Sequence, residues 1–330
     1  MSRPIRWGIL GPGRIAAAFA AGLQALPDAD LAAVGSRSRE RADAFADRFG
    51  IPVRHGSYED LAADPGVDIV YVATPHPGHA PAMRLCLAHG KAVLSEKPFT
   101  VNAAEAREVV GMARSRRLLL MEGMWTRYWP LMRRLRSMVA DGAIGEPLLV
   151  QADFGFRATF DPESRLFSPS LGGGALLDVG VYCVSLASML FGKPRGVVGE
   201  AVLGQTGVDE HDVIALSYDG GAMALLGTSV RVSTAQEAIV TGTEGRIRVH
   251  APWWQPSVLT LSAGGAEETI ELPREGNGFN YEAAEAMACL RDGRTETDGL
   301  PLDETVHVME TMDRLREQWG VRYPMESAAV

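Results

Sequence analysis

The run Ile5-Arg6-Trp7-Gly8-Ile9-Leu10-Gly11-Pro12-Gly13-Arg14-Ile15-Ala16 constrains this chain more than any other. An apolar stretch of strand character stops at Gly11-Pro12-Gly13 and opens into an alanine-rich segment of helical character. Gly11 permits a tight turn, and Gly13 lets backbone approach a ligand with no Cβ in the way. Ala16 allows the helix to pack closely on its strand. Arg14 and Ile15 sit in the first helical turn, whose unpaired N–H groups attract phosphate. A glycine pair alone is a common turn. Placed after a strand and before a helix, this one predicts a bound dinucleotide.

A chain of 330 residues exceeds one ordinary core and fits two domains. The reading is α/β: an N-terminal Rossmann doubly wound parallel sheet over residues 1–122, then a C-terminal α/β domain over 123–330 with an open, mostly antiparallel sheet. Strands are predicted at 6–10, 31–34, 69–72, 92–95 and 118–121, with helices at 14–26, 39–49, 79–89 and 103–115 between them. After Pro130 the pattern changes to a helix, one strand, a loop rich in Pro and Gly, and a helix over 175–190. Short strands separated by turns follow to Ile270, and two helices close the chain.

The net charge of −9 argues against nucleic acid or an anionic membrane as partner. The apolar stretch 179–191 is too short to span a bilayer. Cys86, Cys183 and Cys289 lie far apart without metal or disulfide spacing, which suits a reducing cytoplasm. His76 and His79 have no neighbouring Cys, Asp or Glu, so no metal is expected.

At the end of the second strand an acidic residue would favour NAD. This chain has Gly35-Ser36-Arg37-Ser38 instead. Ser36 and Arg37 can both bind a 2′-phosphate, which favours NADP over NAD, although an exposed helix-capping loop explains the same residues. Thr74-Pro75-His76 and His79 follow the third strand, either as a shelf for the nucleotide or as a stiff connection. Glu96-Lys97-Pro98 follows the next strand at the same edge, where a lysine would disfavour a nearby proton. A surface Glu-Lys pair is the plainer alternative. Asp178 and Tyr182 are four apart and share a face of the helix predicted at 175–190. Either they act on a substrate, or Asp178 merely satisfies a buried Tyr182 hydroxyl.

Taken together, Gly11-Pro12-Gly13, Glu96-Lys97-Pro98 and the Asp178/Tyr182 helix resemble the glucose–fructose oxidoreductase / inositol dehydrogenase family. Met121–Arg127, Gly172–Cys183, Thr241–Gly245 and Tyr281-Glu282-Ala283 are similar to its dimeric dihydrodiol dehydrogenase branch, which also oxidises D-xylose. Many family members carry His where this chain has Tyr182; that branch has Tyr. The resemblance implies Lys97 and Tyr182 as the catalytic pair, Asp178 binding substrate, and a cis Lys97–Pro98 bond. It also implies an aromatic pocket from Trp125, Phe154 and Trp254, closed by Phe279 and Tyr281. Arg165 would reach the nicotinamide end, and two subunits would meet through the C-terminal sheet. The loop 157–171 departs most from the family pattern.

The function expected is hydride transfer between a nicotinamide and a secondary alcohol or carbonyl of a sugar, polyol or cyclic trans-diol. Reduction of a keto-sugar by the same residues is the nearest alternative. A regulator that senses NADP without turnover is the alternative of a different class, since proteins of similar fold act in that way.

Overall fold

Residues 3–329 are described in a computed structural model, and they form two compact units. One comprises the chain up to Thr100, Ala104–Trp125 and Arg274–Thr305; the other comprises Val101–Ala103, Thr126–Pro273 and the chain from Val306 onward.

In the first unit, strands β1 (Ile5–Leu10), β2 (Ala29–Gly35), β3 (Val53–His55), β4 (Ile69–Val72), β5 (Ala92–Glu96) and β6 (Leu120–Gly123) form a parallel sheet. Its order is β3-β2-β1-β4-β5-β6. Helices α1 (Arg14–Leu23), α2 (Arg39–Phe49), α3 (Tyr58–Ala63), α4 (His79–Ala88) and α5 (Ala103–Arg116) alternate with the strands. β4 and β5 are buried at every position, as a central strand covered on both faces must be. Ser38 and Ser57 cap α2 and α3 by accepting the N–H groups of Arg41 and Asp60. β3 and α3 are too short to show periodicity, and the sequence reading passes over them.

Register decides which residues become neighbours. Leu10 stands opposite both Gly35 and Val72, Val72 opposite Ser95, and Ser95 opposite Glu122. The residues that follow, Gly11, Ser36, Ala73, Glu96 and Gly123, therefore lie along one edge of the sheet. Helix α8 (Phe279–Arg291) belongs to the same unit and packs on α1. Asn277 donates to the Ala18 carbonyl at 2.7 Å.

The second unit contains α6 (Pro130–Ala140), α7 (Val181–Phe191) and an eight-stranded sheet in the order β14-β13-β12-β11-β7-β10-β9-β8. These strands are β7 (Pro147–Gly155), β8 (Gly196–Leu203), β9 (Asp209–Ser217), β10 (Met223–Ser229), β11 (Ala238–Gly242), β12 (Gly245–Val249), β13 (Val258–Ala263) and β14 (Ala266–Glu271). Only β7 and β10 pair in parallel; the other pairings are antiparallel. α7 packs on β7 and β10. The helical stretch Pro169–Phe191 is long and apolar enough to cross a bilayer, but 83% of its window is buried inside the molecule, as in a core helix. Residues 175–190 are not one regular α-helix, because Leu176–Gly180 form a π-helical turn before α7.

The long C-terminal helix α9 (Leu302–Trp319) carries Arg316, which is 4% exposed. Its guanidinium meets Glu326 at 2.9 Å and Asp313 at 2.7 Å, and lies 4.9 Å from the Tyr323 ring centre. The Tyr323 hydroxyl donates to the Gly173 carbonyl at 2.7 Å, just ahead of the π-helical turn. Removing one member of a buried ion network strands the others. Arg316→Ala should therefore lower unfolding free energy by about 3–5 kcal/mol, read by denaturant titration. A loss near zero would show that the network contributes nothing net.

Candidate active site

The dinucleotide turn begins where β1 ends. Gly11 has φ +89°, and a Cβ there would lie 3.1–3.2 Å from backbone atoms of Ala73 and Thr74. Its N–H donates to the Gly35 carbonyl at 3.1 Å, so the turn is tied to the end of β2. Gly13 caps α1 without a side-chain hydrogen bond, and the first turn of α1 holds no acidic residue. A Cβ on Gly13 would meet only the Gly11 carbonyl oxygen, at 4.0 Å. Protein packing therefore leaves room for a side chain at position 13. Arg14 and Ile15 are exposed on that first turn, Ile15 at 39%.

Ser36 is buried, and its hydroxyl accepts the Ser38 N–H at 3.2 Å. Arg37 is exposed beside it. Thr74 and Pro75 follow β4. The Thr74 Oγ1 is buried and, among the described residues, has no hydrogen-bond partner. An uncapped helix N-terminus, a cradle that a Cβ would fill and an orphaned hydroxyl on the same sheet edge fit a dinucleotide. His76 is buried at that edge. The His79 ring nitrogens lie 2.8 Å from the Pro98 carbonyl and 2.9 Å from the Thr74 carbonyl, tying two strand-end loops together. Burial holds the His79 pKa below its ordinary value against the pull of those carbonyls, and the Lys97 charge adds to burial.

Glu96 is buried at the end of β5, where it accepts the Tyr71 hydroxyl and, at 3.1 Å, the Lys97 N–H. The Lys97–Pro98 bond is cis. Glu282, from α8, is fully buried, and both its carboxyl oxygens lack a partner among the described residues. Burial and then the Glu96 charge raise its pKa well above the carboxylate range. The aromatic rings of this unit form a series: Tyr71 stacks on Phe19 at 3.6 Å, Phe19 meets Phe279 edge-on at 6.3 Å, and Phe279 stacks on Trp125 at 4.5 Å. Tyr281 accepts the Glu275 N–H at 2.8 Å.

In the second unit the π-helical turn carries Asp178, and α7 carries Tyr182; both are buried. Arg165 grips Asp178 through both guanidinium nitrogens, at 2.6 and 3.4 Å, with its own side chain 48% exposed. Phe154 from β7 stacks on Trp254 at 3.4 Å and tilts against Tyr182 at 5.3 Å. The Thr126 hydroxyl donates to the Trp254 carbonyl at 2.8 Å. The structure thus gathers Phe154, Trp254 and Tyr182, pairs Asp178 with Arg165, and separately gathers Trp125 with Phe279.

Residues 5–124 match the model of the GFO/IDH/MocA oxidoreductase family with NAD-binding Rossmann fold, and residues 132–248 match that of the GFO/IDH/MocA C-terminal domain. The chain belongs to the GFO/IDH/MocA family. This family member is 40% identical to the human (Homo sapiens) trans-1,2-dihydrobenzene-1,2-diol dehydrogenase over 98% of this chain and 99% of that protein. The Mus musculus enzyme of that name is 39% identical over the same shares. Among solved structures it is similar to KijD10, a 3-ketoreductase from Actinomadura kijaniata in complex with NADP and TDP-benzene. The TM-score is 0.84 at 28% identity, covering 96% of this chain and 98% of that one. An aldose–aldose oxidoreductase from Caulobacter crescentus, 24% identical, shares the fold with a TM-score of 0.86, over 96% of this chain and 98% of that one. As a GFO/IDH/MocA protein, the chain is an NAD(P)-dependent oxidoreductase.

Sequence reasoning missed Glu282 and Tyr71, and it missed the buried carboxyls Asp209 and Asp212 in the second unit. In a strand, residues three apart face opposite sides, so the Asp209/Asp212 spacing carried no signal. Glu282 alone left a trace, as an acid in an otherwise apolar helical face.

The two glycines of the dinucleotide turn separate under substitution. Gly11→Ala should lose about 1–2 kcal/mol from its positive φ alone. Gly13→Ala should keep the melting temperature while raising the Kd for dinucleotide about tenfold or more. Thermal unfolding and isothermal titration read the pair; equal melting losses for both would contradict the geometry.

Proposed function

We propose that this chain is an NADP-dependent dehydrogenase for secondary alcohols of cyclic trans-diols and sugars, with the first unit holding the cofactor and the second the substrate. The observation that carries the reading is the Tyr182 phenol set against the Phe154–Trp254 stack, with the Asp178–Arg165 pair on the adjoining turn. Flat aromatic surface suits a ring, and a carboxylate suits adjacent hydroxyls. The human and mouse relatives are named for oxidation of a cyclic trans-diol, and D-xylose belongs to the same class of vicinal diols.

When bound, the dinucleotide supplies the hydride acceptor or donor. Tyr182 takes the proton of the reacting hydroxyl during oxidation and returns it during reduction. Lys97 is the cationic member of the proposed catalytic residues. Asp178 accepts a hydrogen bond from the neighbouring hydroxyl, with Arg165 setting the orientation of its carboxylate. Phe154 and Trp254 supply apolar wall in the second unit; Trp125, Phe279 and Tyr281 are the aromatic candidates of the first. Reduction of a keto-sugar is the second reading; it is favoured by the likeness to KijD10, named a 3-ketoreductase.

Gly11, Gly13, Arg14 and Ile15 would hold the pyrophosphate. Ser36 and Arg37 would hold a 2′-phosphate, and Thr74, Pro75, His76, His79 and Glu96 would line the nucleotide shelf. The absence of an acidic residue beside Ser36 removes the repulsion that selects NAD.

The surface for a second copy lies on one face of β8–β10, where Val198 (66%), Val213 (56%) and Leu225 (45%) are exposed together. A homodimer through this sheet face covers it. Cys86, Cys183 and Cys289 are free and buried, and burial pushes the Cys86 thiol up to about 12 and the Cys289 thiol up to about 11. Inert unpaired thiols fit a cytoplasmic protein, acting on small molecules rather than on nucleic acid or membrane.

Tyr182→Phe should lose about 10²–10⁴ in kcat while still binding NADPH. Steady-state rates on trans-diols, D-xylose and keto-sugars check this, and near-normal kcat removes Tyr182 from the chemistry. Arg37→Ala should raise the KM for NADP about 10- to 100-fold and leave that for NAD alone. Equal changes for both cofactors would reject Arg37 as the reader of the 2′-phosphate.

A further inference from the structure

Two buried aspartates lie behind the turn that carries Asp178. Asp209, at the start of β9, is fully buried, and its Oδ2 accepts the Leu176 N–H at 2.6 Å. Leu176 is the first residue of the π-helical turn. Gly174, with φ +121°, lies so close that a Cβ there would be 2.3 Å from Asp209 Oδ1. Asp212 is 1% exposed, and its Oδ2 accepts the Thr228 hydroxyl at 2.7 Å. The two carboxyls lie close enough to act on each other, and the Oδ1 of each lacks a hydrogen-bond partner among the described residues.

Two ionised carboxylates cannot lie that close away from water, because their repulsion there is large. One proton between them satisfies both. Arg316 from α9 is the cation facing Asp209, and it is already held by Asp313 and Glu326. Tyr323 faces both aspartates and donates its hydroxyl to the Gly173 carbonyl. The Thr228 hydroxyl spends its hydrogen on Asp212. Among the described residues no neighbour therefore replaces the shared proton.

A π-helical turn departs from the regular i→i+4 pattern and persists where its surroundings hold it. Its extra residue sets the phase at which Tyr182 follows Asp178 along the helix. We propose that Asp209 and Asp212 form a one-proton carboxyl pair that fixes the Leu176–Gly180 turn and thereby positions Asp178 and Tyr182. This rests on those two residues acting on substrate. The pair itself touches neither, so both members are positioning residues.

Burial, and then the Asp209 charge, raise the Asp212 pKa to about 9. Below about pH 4 the aspartate is protonated in folded and unfolded chains alike. From there up to about 9 the folded chain keeps a proton that the unfolded chain has released. Stability therefore falls as pH rises through that window. Asp212→Asn keeps a donor to Asp209 and removes the titration.

The test uses the full chain with Asp212→Asn, Asp212→Ala and Asp209→Ala. The melting temperature of Asp212→Asn should gain on the parent progressively between about pH 5 and about pH 8. A difference that stays constant across this range overturns the shared proton. Asp209→Ala and Asp212→Ala should lose about 10- to 100-fold in kcat with the KM for NADP unchanged, and Asp212→Asn should recover most of the loss seen in Asp212→Ala. Parent-like kcat in Asp209→Ala, or no recovery in Asp212→Asn, overturns the positioning role. The melting comparison needs no turnover, so it reads the pair even where Tyr182→Phe has excluded Tyr182 from the chemistry.

Discussion

Strands that run parallel must all finish at the same edge of their sheet, and the first unit depends on that constraint. Leu10, Gly35, Val72 and Ser95 lie in register across β2, β1, β4 and β5. Residues far apart along the chain, Gly11, Ser36, Thr74 and Lys97, are thereby delivered to one line. The same edge receives the N-terminus of α1, whose N–H groups have no side-chain cap. A dinucleotide, long and anionic at its centre, matches an edge built in this way.

The second unit solves a different problem. It sets ionisable side chains on a helix buried nearly all round. An isolated charge there, or buried on the neighbouring strand β9, is costly, so each acid has a partner: Asp178 has Arg165, Asp209 has the Leu176 N–H, and Asp212 has the Thr228 hydroxyl. The tie from Tyr323 to Gly173 joins the C-terminal segment to the same turn. Geometry at Asp178 and Tyr182 is set by residues that are distant in sequence.

Legibility followed the strength of the local pattern. The alternation of buried strands and helices up to β6 was readable, because central strands are apolar throughout and the helices between them are long enough to show their period. β3, with three residues, carries no period of its own. The π-helical turn was unreadable too, since Leu176-Leu177-Asp178-Val179-Gly180 suits a regular helix equally well. Lys97 and Asp178 were legible as motif members. The pairing of Arg165 with Asp178 was not, because it joins a loop of irregular sequence to a helix. The packing of α8 on α1, from residues 274–305, left no trace in composition or spacing.

By itself the amino-acid sequence determined the dinucleotide turn, the order of strands and helices in the first unit, and the residue types available for proton transfer. These depend on neighbours a few positions apart, where glycine geometry, capping and periodicity act directly. Tertiary structure alone decided that Glu282 is buried against Glu96, that Phe154 stacks on Trp254, and that Asp209 meets Asp212 beneath the turn bearing Asp178. Burial and long-range contact set the protonation and placement of these groups, and neither quantity exists until the chain has folded.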